Sequence, residues 1–244
     1  MENLFPKIGT SITLSQEIAQ NIEGLIVSKQ LSPGQKLPTE KELCLMYGVS
    51  RTSLREALHM LSARDLINIR KGSGIYISEF SSRKASKAIQ LYLEMKFDKD
   101  YILHTVRVRK MLEPQIARLA AENRTDDQLK ELQDTIIRLK EAEDVEEEGI
   151  IDRDFHMIIA RSTGNPIIPV IVDPVFRLMP KIRAIVYAKI DSAKSTALEY
   201  HEKIYEMIQS KNADGAYHSM LEHIILAENH SLEIFETLTE DHII

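Results

Sequence analysis

Four residues in the C-terminal half of the chain combine side-chain types and spacings that suit a metal ion. Asp152 and His156 are one helical turn apart, so that a helix would let them bind the same ion. His201 and His223 lie further along, each on an apolar stripe with helical spacing. A lone carboxylate or imidazole on such an inward stripe is costly to bury, so we expect the helices to converge on a shared partner. One Asp with three His suits Zn²⁺, and also Ni²⁺ or Mn²⁺.

The spacing alone leaves a plainer interpretation open. The four residues could be separate core side chains, with each histidine bonded to a backbone carbonyl. His230 lies seven residues after His223 on nearly the same helical face, which makes it a rival or a supporting candidate. Periodicity predicts inward-facing side chains, and it does not by itself predict an ion.

Arg109 falls on another predicted inward face, with Glu113 four residues further on. This arginine could form a structural ion pair with Glu113. It could instead bind the carboxylate of a small ligand, because a guanidinium group binds a carboxylate through two hydrogen bonds. Asn165, at the start of a later predicted helix, could present its amide to such a ligand or cap the helix.

An Asp/His site with open positions could also activate water in a hydrolase. The only candidates for a general base are Glu113 and Asp154, and Asp154 falls off the inward face of its helix. We therefore predict no catalytic residue, and we expect that the protein is not an enzyme.

A second kind of chemistry lies near the N-terminus. Arg51, Thr52 and Arg55 fall at the exposed start of a short amphipathic helix that buries Leu54 and Leu58. A helix that presents arginine and hydroxyl side chains from its first turns suits the groove of double-stranded DNA. We expect double-stranded DNA to be a partner.

The elements around this helix predict a winged helix-turn-helix. Thr39 with Glu42 forms a capping-box signal, in which each side chain bonds the other residue's backbone. Helical patterns cover 14–28, the segment after Thr39, and the segment from the cap Ser50 to about Ala63. Two strand patterns follow, at 66–69 and 75–77, joined by a basic turn that contains glycines.

The rest of the chain predicts an all-helical domain. We divide the chain into a DNA-binding head (1–78), a polar linker (79–87) and a helical body (88–244). The fold class is mainly α, with the body an antiparallel bundle of six or seven helices. The helical patterns of the body cover 87–96, 99–122, 126–147, 149–163, 166–190, 194–211 and 213–237.

The distribution of charge agrees with a DNA-binding head joined to a body that does not bind DNA. The chain of 244 residues has a net charge of −6, but residues 1–80 hold nine Lys and Arg against eight Asp and Glu. The remainder holds 22 against 29, so the acidic excess belongs to the body. One cysteine excludes a disulfide framework within the chain, and no apolar run has the length of a membrane span. With no signal-peptide pattern, we expect a cytoplasmic protein without a membrane partner.

The head resembles the GntR superfamily of bacterial transcription regulators, and the body resembles the FCD-type effector domain of its FadR branch. The head carries PGQKLPTE at 33–40, GVSRTSLREAL at 48–58 and a GSG wing at 72–74. The body carries RKMLEP at 109–114, DRDFH at 152–156, GN at 164–165, and then His201 and His223. The resemblance covers about residues 11–235.

For the head, the resemblance implies that Arg51 and Arg55 read bases in the major groove, since arginine matches the acceptor pair of guanine. Phosphate contacts or caps are expected from Ser50, Thr52 and Ser53. Lys71 with Gly72 would bring the wing to the minor groove or backbone. The family more often has arginine at the position of Lys41, which departs from the pattern and would read guanine less rigidly.

For the body, the resemblance implies that Asp152, His156, His201 and His223 bind a divalent transition metal, with Zn²⁺ the first expectation. Arg109 and Asn165 would bind a small organic-acid or sugar-acid effector beside it. The implied protein is a homodimeric regulator, most simply a repressor, that binds a palindromic operator. Two alternatives remain: a metal that is purely structural or is itself the signal, with no carboxylate effector, and a metal-dependent hydrolase fused to the head.

Overall fold

The computed structural model describes residues 12–79, 82–96 and 99–240. In these ranges the chain forms eleven helices and one two-stranded sheet, and it divides after Ser81 into two compact units. The mainly α fold class is therefore confirmed. None of the described helices is long and apolar enough to cross a membrane.

The head has the predicted order of three helices and a hairpin. Thr39 and Glu42 form the predicted capping box, and the Ser50 side chain accepts a hydrogen bond from the Ser53 backbone at the start of the third helix. Gly48 closes the second helix in the left-handed conformation (φ 65°), which lets the chain turn sharply between the two helices. The elements are α1 (Leu14–Val27), α2 (Glu40–Tyr47), α3 (Arg51–Ala63), β1 (Ile67–Arg70) and β2 (Gly74–Ile77).

The wing differs from its prediction in two ways. The predicted turn covers 70–74, but its first residue belongs to β1 and its last to β2. These two residues, Arg70 and Gly74, pair at the end of the antiparallel ladder. The segment after α1 also joins the sheet: Leu37 donates its backbone N–H to Ile75 (2.8 Å) and Ile77 donates to Gln35 (2.8 Å). Sequence periodicity could not reveal this short segment, because it contains too few residues to alternate.

The body has eight described helices, where six or seven were expected. Its helices are α4 (Ser82–Met95), α5 (Lys99–Asn123), α6 (Asp126–Glu141), α7 (Val145–Arg161), α8 (Ile167–Phe176), α9 (Met179–Lys189), α10 (Ala193–Gln209) and α11 (Ala213–Glu240). The predicted helix over 166–190 is two helices, because the chain breaks after Phe176 and Pro180 lies in the first turn of α9. The predicted linker over 79–87 is helical from Ser82.

Close packing of α7 against α9 positions the centre of the body. A Cβ atom added at Gly149 of α7 would lie 2.7 Å from the Pro180 backbone, so these two helices approach at a point where no side chain fits between them. The helix α5 packs along α11, and α10 packs on α11. Phe155 and Phe176 are fully buried in the apolar core that these helices enclose.

Candidate metal centre and nucleic-acid interface

Helices α7, α10 and α11 bring four predicted ligands to one place. One ligand atom from each of Asp152, His156, His201 and His223 lies within 4.8 Å of the others, and all four residues are buried. We call this group the Asp/His cluster. The arrangement follows from the sequence because each residue occupies the inward stripe of its helix.

Contacts around the cluster orient the imidazole rings. His156 Nδ1 contacts Glu113 Oε2 without forming a regular hydrogen bond, and its Nε2 lies 3.3 Å from Nε2 of His223. A carboxylate beside Nδ1 favours the tautomer with its proton there, which leaves the Nε2 lone pair directed into the cluster. The His201 ring stacks on Phe155 with 3.8 Å between the ring centroids.

Burial and charge set the protonation states that a metal would need. Burial by itself raises the pKa of Glu113, but Arg109 and His156 outweigh it and lower that pKa to about 2. The pKa of Asp152 is likewise below its usual value, since Arg183 and other positive neighbours outweigh the effect of burial. Burial lowers the pKa of His201 to about 3 and that of His223 well below its usual value. At neutral pH both carboxyl groups are charged and these two histidines are neutral, as metal binding requires.

Unpartnered polar atoms show that the cluster fits a bound ion. Asp152 Oδ1 and His201 Nε2 are buried and lie 3.5 Å apart, yet neither has a hydrogen-bond partner among the described residues. Natural proteins pair nearly all such atoms, since an unmet polar group costs stability in the interior. One carboxylate oxygen and three imidazole nitrogens form a donor set that suits Zn²⁺, Ni²⁺ or Mn²⁺.

Two buried arginines adjoin the cluster, and only one of them was predicted. Arg109 pairs with Glu113 and also places Nη2 3.3 Å from Nε2 of His156, so it joins the ion pair and reaches the cluster. Arg183 donates to Asp152 Oδ2 (3.0 Å), and its Nη2 lies 3.5 Å from His223 Nε2. The sequence could have indicated Arg183, because it follows Met179 by one helical turn on an inward face of α9. Arg109 was selected by the same pattern.

Two other candidates of the body lie outside the Asp/His cluster. Asn165 is exposed, and its Oδ1 accepts a hydrogen bond from the Ile167 backbone at 3.0 Å. Asn165 precedes the N-cap Pro166, and its contact meets the first backbone N–H of α8, so it gives no support to a role in binding an effector. His230 is buried on α11, with its pKa lowered by burial, but it is not one of the four converging residues.

The predicted DNA-reading residues lie where α3 begins. Arg51 and Thr52 are exposed, while Ser50 and Ser53 bond to each other across the cap, with 3.0 Å between their hydroxyl oxygens. Arg55 is exposed too, and its Nε donates to Glu40 Oε2 of α2 at 2.9 Å. The carboxylate of Glu40 thus holds this guanidinium group near the start of the helix.

The wing carries the predicted basic turn, and Lys36 adds a further positive charge beside it. Lys71 and Gly72 are exposed at its tip, and Gly72 has a φ of 77° that the turn requires. Tyr76 on β2 contacts two cations: its ring centroid is 4.6 Å from the guanidinium carbon of Arg70, in the predicted basic turn, and 5.8 Å from Nζ of Lys36, which lies outside that turn. Lys41 is exposed on α2.

Comparisons with known proteins match both units. Residues 14–77 match the family described as "Bacterial regulatory proteins, gntR family", and residues 104–226 match the FCD domain. The chain is 32% identical to the HTH-type transcriptional regulator LutR of Bacillus subtilis over 84% of this chain and 95% of that protein. It is 30% identical to the Uxu operon regulator of Haemophilus influenzae over 97% of this chain and 85% of that protein. A solved Streptococcus agalactiae GntR structure matches with a TM-score of 0.67 and 29% identity, covering 88% of this chain and 99% of that one.

Proposed function

Since this chain belongs to the GntR family of bacterial regulatory proteins, with an FCD domain, and is a DNA-binding transcription regulator rather than an enzyme, we propose that a small carboxylate bound beside a metal ion controls it. We further propose that it is a repressor and binds a palindromic operator as a dimer. The observation that carries the proposal is the buried Asp/His cluster flanked by Arg109 and Arg183.

The charges around the cluster favour an acid as the effector. Two carboxylates, of Glu113 and Asp152, balance two guanidinium groups, of Arg109 and Arg183. A divalent ion bound by the cluster would leave two positive charges in excess in a buried place. Uncompensated buried charge is costly, so an anionic ligand would stabilise the loaded site. A carboxylate suits it, because guanidinium groups bind carboxylates through paired hydrogen bonds.

The metal ligands would be Asp152, His156, His201 and His223, with Zn²⁺ the first candidate and Ni²⁺ or Mn²⁺ the others. When bound, the ion would supply a Lewis-acid site for an oxygen atom of the effector. The protein's own part is to hold the imidazole rings, to keep bulk water out, and to present Arg109 and Arg183 to the acid.

In the head, Arg51 and Arg55 are proposed to contact guanine in the major groove, with the other predicted residues on the phosphate backbone. The latter are Lys41, Ser50, Thr52, Ser53, Lys71 and Gly72. Support for a dimer comes from three apolar side chains exposed on α5, Val108, Met111 and Leu112, which a second copy would cover.

One observation favours a second candidate function. Arg109 and Arg183 already have carboxylate partners within the protein, so neither strictly requires an acid ligand. The same regulator could therefore use the metal as a structural element or as the signal itself. In that case chelation would unfold the body, and no carboxylate would protect it against heat.

The proposal can be tested with DNA recovered by selection from random oligonucleotides. We expect Arg51→Ala to remove sequence selectivity while leaving the oligomer and the metal content unchanged. As a control, Arg64→Ala removes the same charge at the other end of α3, where Arg64 pairs with Glu23, and should retain selectivity.

The sensing part is tested by adding simple carboxylic acids to the metal-loaded complex with this DNA. A hundredfold loss of affinity corresponds to about 2.7 kcal/mol of coupling, within the ordinary range for regulated proteins. If a broad panel of acids changes neither the affinity for DNA nor the melting temperature, the carboxylate effector is wrong. The second candidate would then be favoured.

A further inference from the structure

The hydroxyl group of Tyr187 has no role in the fold as described. Tyr187 lies on α9 one turn after Arg183, and its ring centroid is 5.6 Å from the Arg183 guanidinium carbon. Its Oη atom is buried, and no described residue offers it a hydrogen bond. A buried hydroxyl in this condition costs stability, and a phenylalanine would supply the same ring without that cost.

The acidic groups around Tyr187 are already engaged. The Glu148 carboxylate pairs with Lys194 Nζ at 2.5 Å, and Asp152 pairs with Arg183. Burial raises the pKa of Tyr187 above its usual value, so the hydroxyl group keeps its proton at neutral pH. It is therefore a hydrogen-bond donor with no acceptor of its own among the described residues.

Arg183 connects this donor to the Asp/His cluster. The same guanidinium group reaches Asp152 and His223 and lies against the Tyr187 ring. Because the Arg183 guanidinium carbon lies 5.6 Å from the Tyr187 ring centroid, a carboxylate bound by Arg183 would lie next to the Tyr187 side chain.

We propose that Tyr187 determines effector specificity by donating a hydrogen bond to a second oxygen atom of the acid, outside its carboxylate. The inference rests on the proposed function, and it narrows the effector to hydroxy or oxo acids as opposed to plain aliphatic acids. A site that contains an unmet donor discriminates against a ligand without the matching acceptor, because that ligand leaves the donor unpaired.

The test uses three acids of equal carbon number that differ at one position. Propionate has no second oxygen, lactate has a hydroxyl group, and pyruvate has a carbonyl. Titration calorimetry of the metal-loaded full chain should show at least one of the oxygenated acids binding about tenfold more tightly than propionate. Tyr187→Phe should remove this advantage and leave propionate binding and metal content unchanged.

Tyr200→Phe is the matched control, because Tyr200 also lies near the cluster, with its ring centroid 6.0 Å from that of His223. Its hydroxyl group is not among the buried atoms without a partner, so this variant should keep the preference for oxygenated acids.

The melting temperature of the ligand-free variant gives a second measurement. Tyr187→Phe should melt at or above the temperature of the wild type, since it removes a buried hydroxyl that has no partner. A lower value would show a structural hydrogen bond and would overturn the inference. If Tyr187→Phe keeps the preference for oxygenated acids, the role of Tyr187 is wrong while the proposed function stands. If the wild type binds no acid from a broad panel, the proposed function fails and the inference fails with it.

Discussion

His201 is the residue on which the metal proposal can be tested most directly. Its ring is held by stacking on Phe155, so its position does not depend on a bound ion. Its Nε2 atom lies beside Asp152 Oδ1, and neither atom has a hydrogen-bond partner among the described residues. Both atoms are therefore available to bind a metal ion. The lowered pKa keeps the His201 ring neutral at neutral pH, so one of its two nitrogen atoms offers a lone pair.

We expect His201→Ala to remove the metal from the purified protein, because three remaining ligands bind an ion much more weakly than four. Metal content is measured by mass spectrometry of the native protein. The control is His218→Ala, which removes an exposed imidazole on α11 and should leave the metal content unchanged. Equal metal content in both variants would show that the ion is bound elsewhere.

Sequence reasoning predicted the inward positions of the Asp/His cluster better than its surroundings. The four residues could be singled out because a polar residue on an apolar stripe is conspicuous, and the structure brings them together as expected. Arg183 and Tyr187 were missed because α8 and α9 were read as one helix, so the inward face of α9 was not followed on its own. Arg55 was assigned to DNA, but its pairing with Glu40, fifteen residues earlier, depends on how α2 crosses α3. Such a crossing is a tertiary property that no local pattern contains.

At the scale of elements, the contact between α7 and α9 determines how Asp152 meets Arg183. Gly149 lies almost one turn before Asp152, and its backbone packs against Pro180, three residues before Arg183. The Gly149–Pro180 contact and the Asp152–Arg183 ion pair therefore lie on the same facing sides of α7 and α9. A change in the separation of these helices at Gly149 would also move the ion pair.

We expect Gly149→Ala to destabilise the protein by about 1–3 kcal/mol, the usual cost of forcing an extra carbon into a packed interface. The added Cβ would lie 2.7 Å from Pro180 Cα and 3.0 Å from its carbonyl oxygen, and backbone atoms cannot move aside as a side chain can. Urea denaturation measures the change, and weaker metal binding should accompany it.

Gly24→Ala is the control for helix propensity. Gly24 is exposed within α1, and an added Cβ there would meet no atom within 4 Å. This substitution should stabilise the head by about 0.5–1 kcal/mol, since alanine favours a helix over glycine. If both substitutions were stabilising, the close approach of α7 and α9 would be wrong.

Element boundaries were predictable wherever a cap marked them. The predicted start and end of α3 agree with the structure, because Ser50 signals the first turn. The helix predicted over 126–147 instead ends at Glu141, and α7 begins after Asp144, whose side chain accepts a hydrogen bond from the Glu147 backbone. In that acidic segment every residue type is compatible with a helix, so periodicity alone did not show the break.

At the scale of the whole molecule, the chain consists of two units with separate apolar cores. The head core lies between α1, α3 and the wing, and the Asp/His cluster lies entirely in the body. A bound ion therefore stabilises the body directly, by an amount that depends on its concentration relative to its dissociation constant. Any effect on the head must pass from one unit to the other.

We expect chelation of the metal to increase hydrogen exchange in α7, α10 and α11 while leaving α1 and α3 unchanged. At a free metal concentration a hundredfold above the dissociation constant, the ion stabilises the folded body by about 2.7 kcal/mol. Its removal therefore increases local opening of the helices that carry its ligands. Exchange is measured by mass spectrometry on the intact chain, with and without a chelator.

The head provides the internal control for this experiment, because it contains none of the four proposed ligands. Exchange that rises equally in both units would mean that the chain unfolds as one cooperative body, which contradicts the division after Ser81. Unchanged exchange in all three body helices would contradict a resident metal.

The same measurement tests the effector. Adding an acid to the metal-loaded chain should slow exchange in α7 and α9, since Asp152 and Arg183 lie on these helices. If only the metal and never the acid has this effect, the ion is structural or is itself the signal.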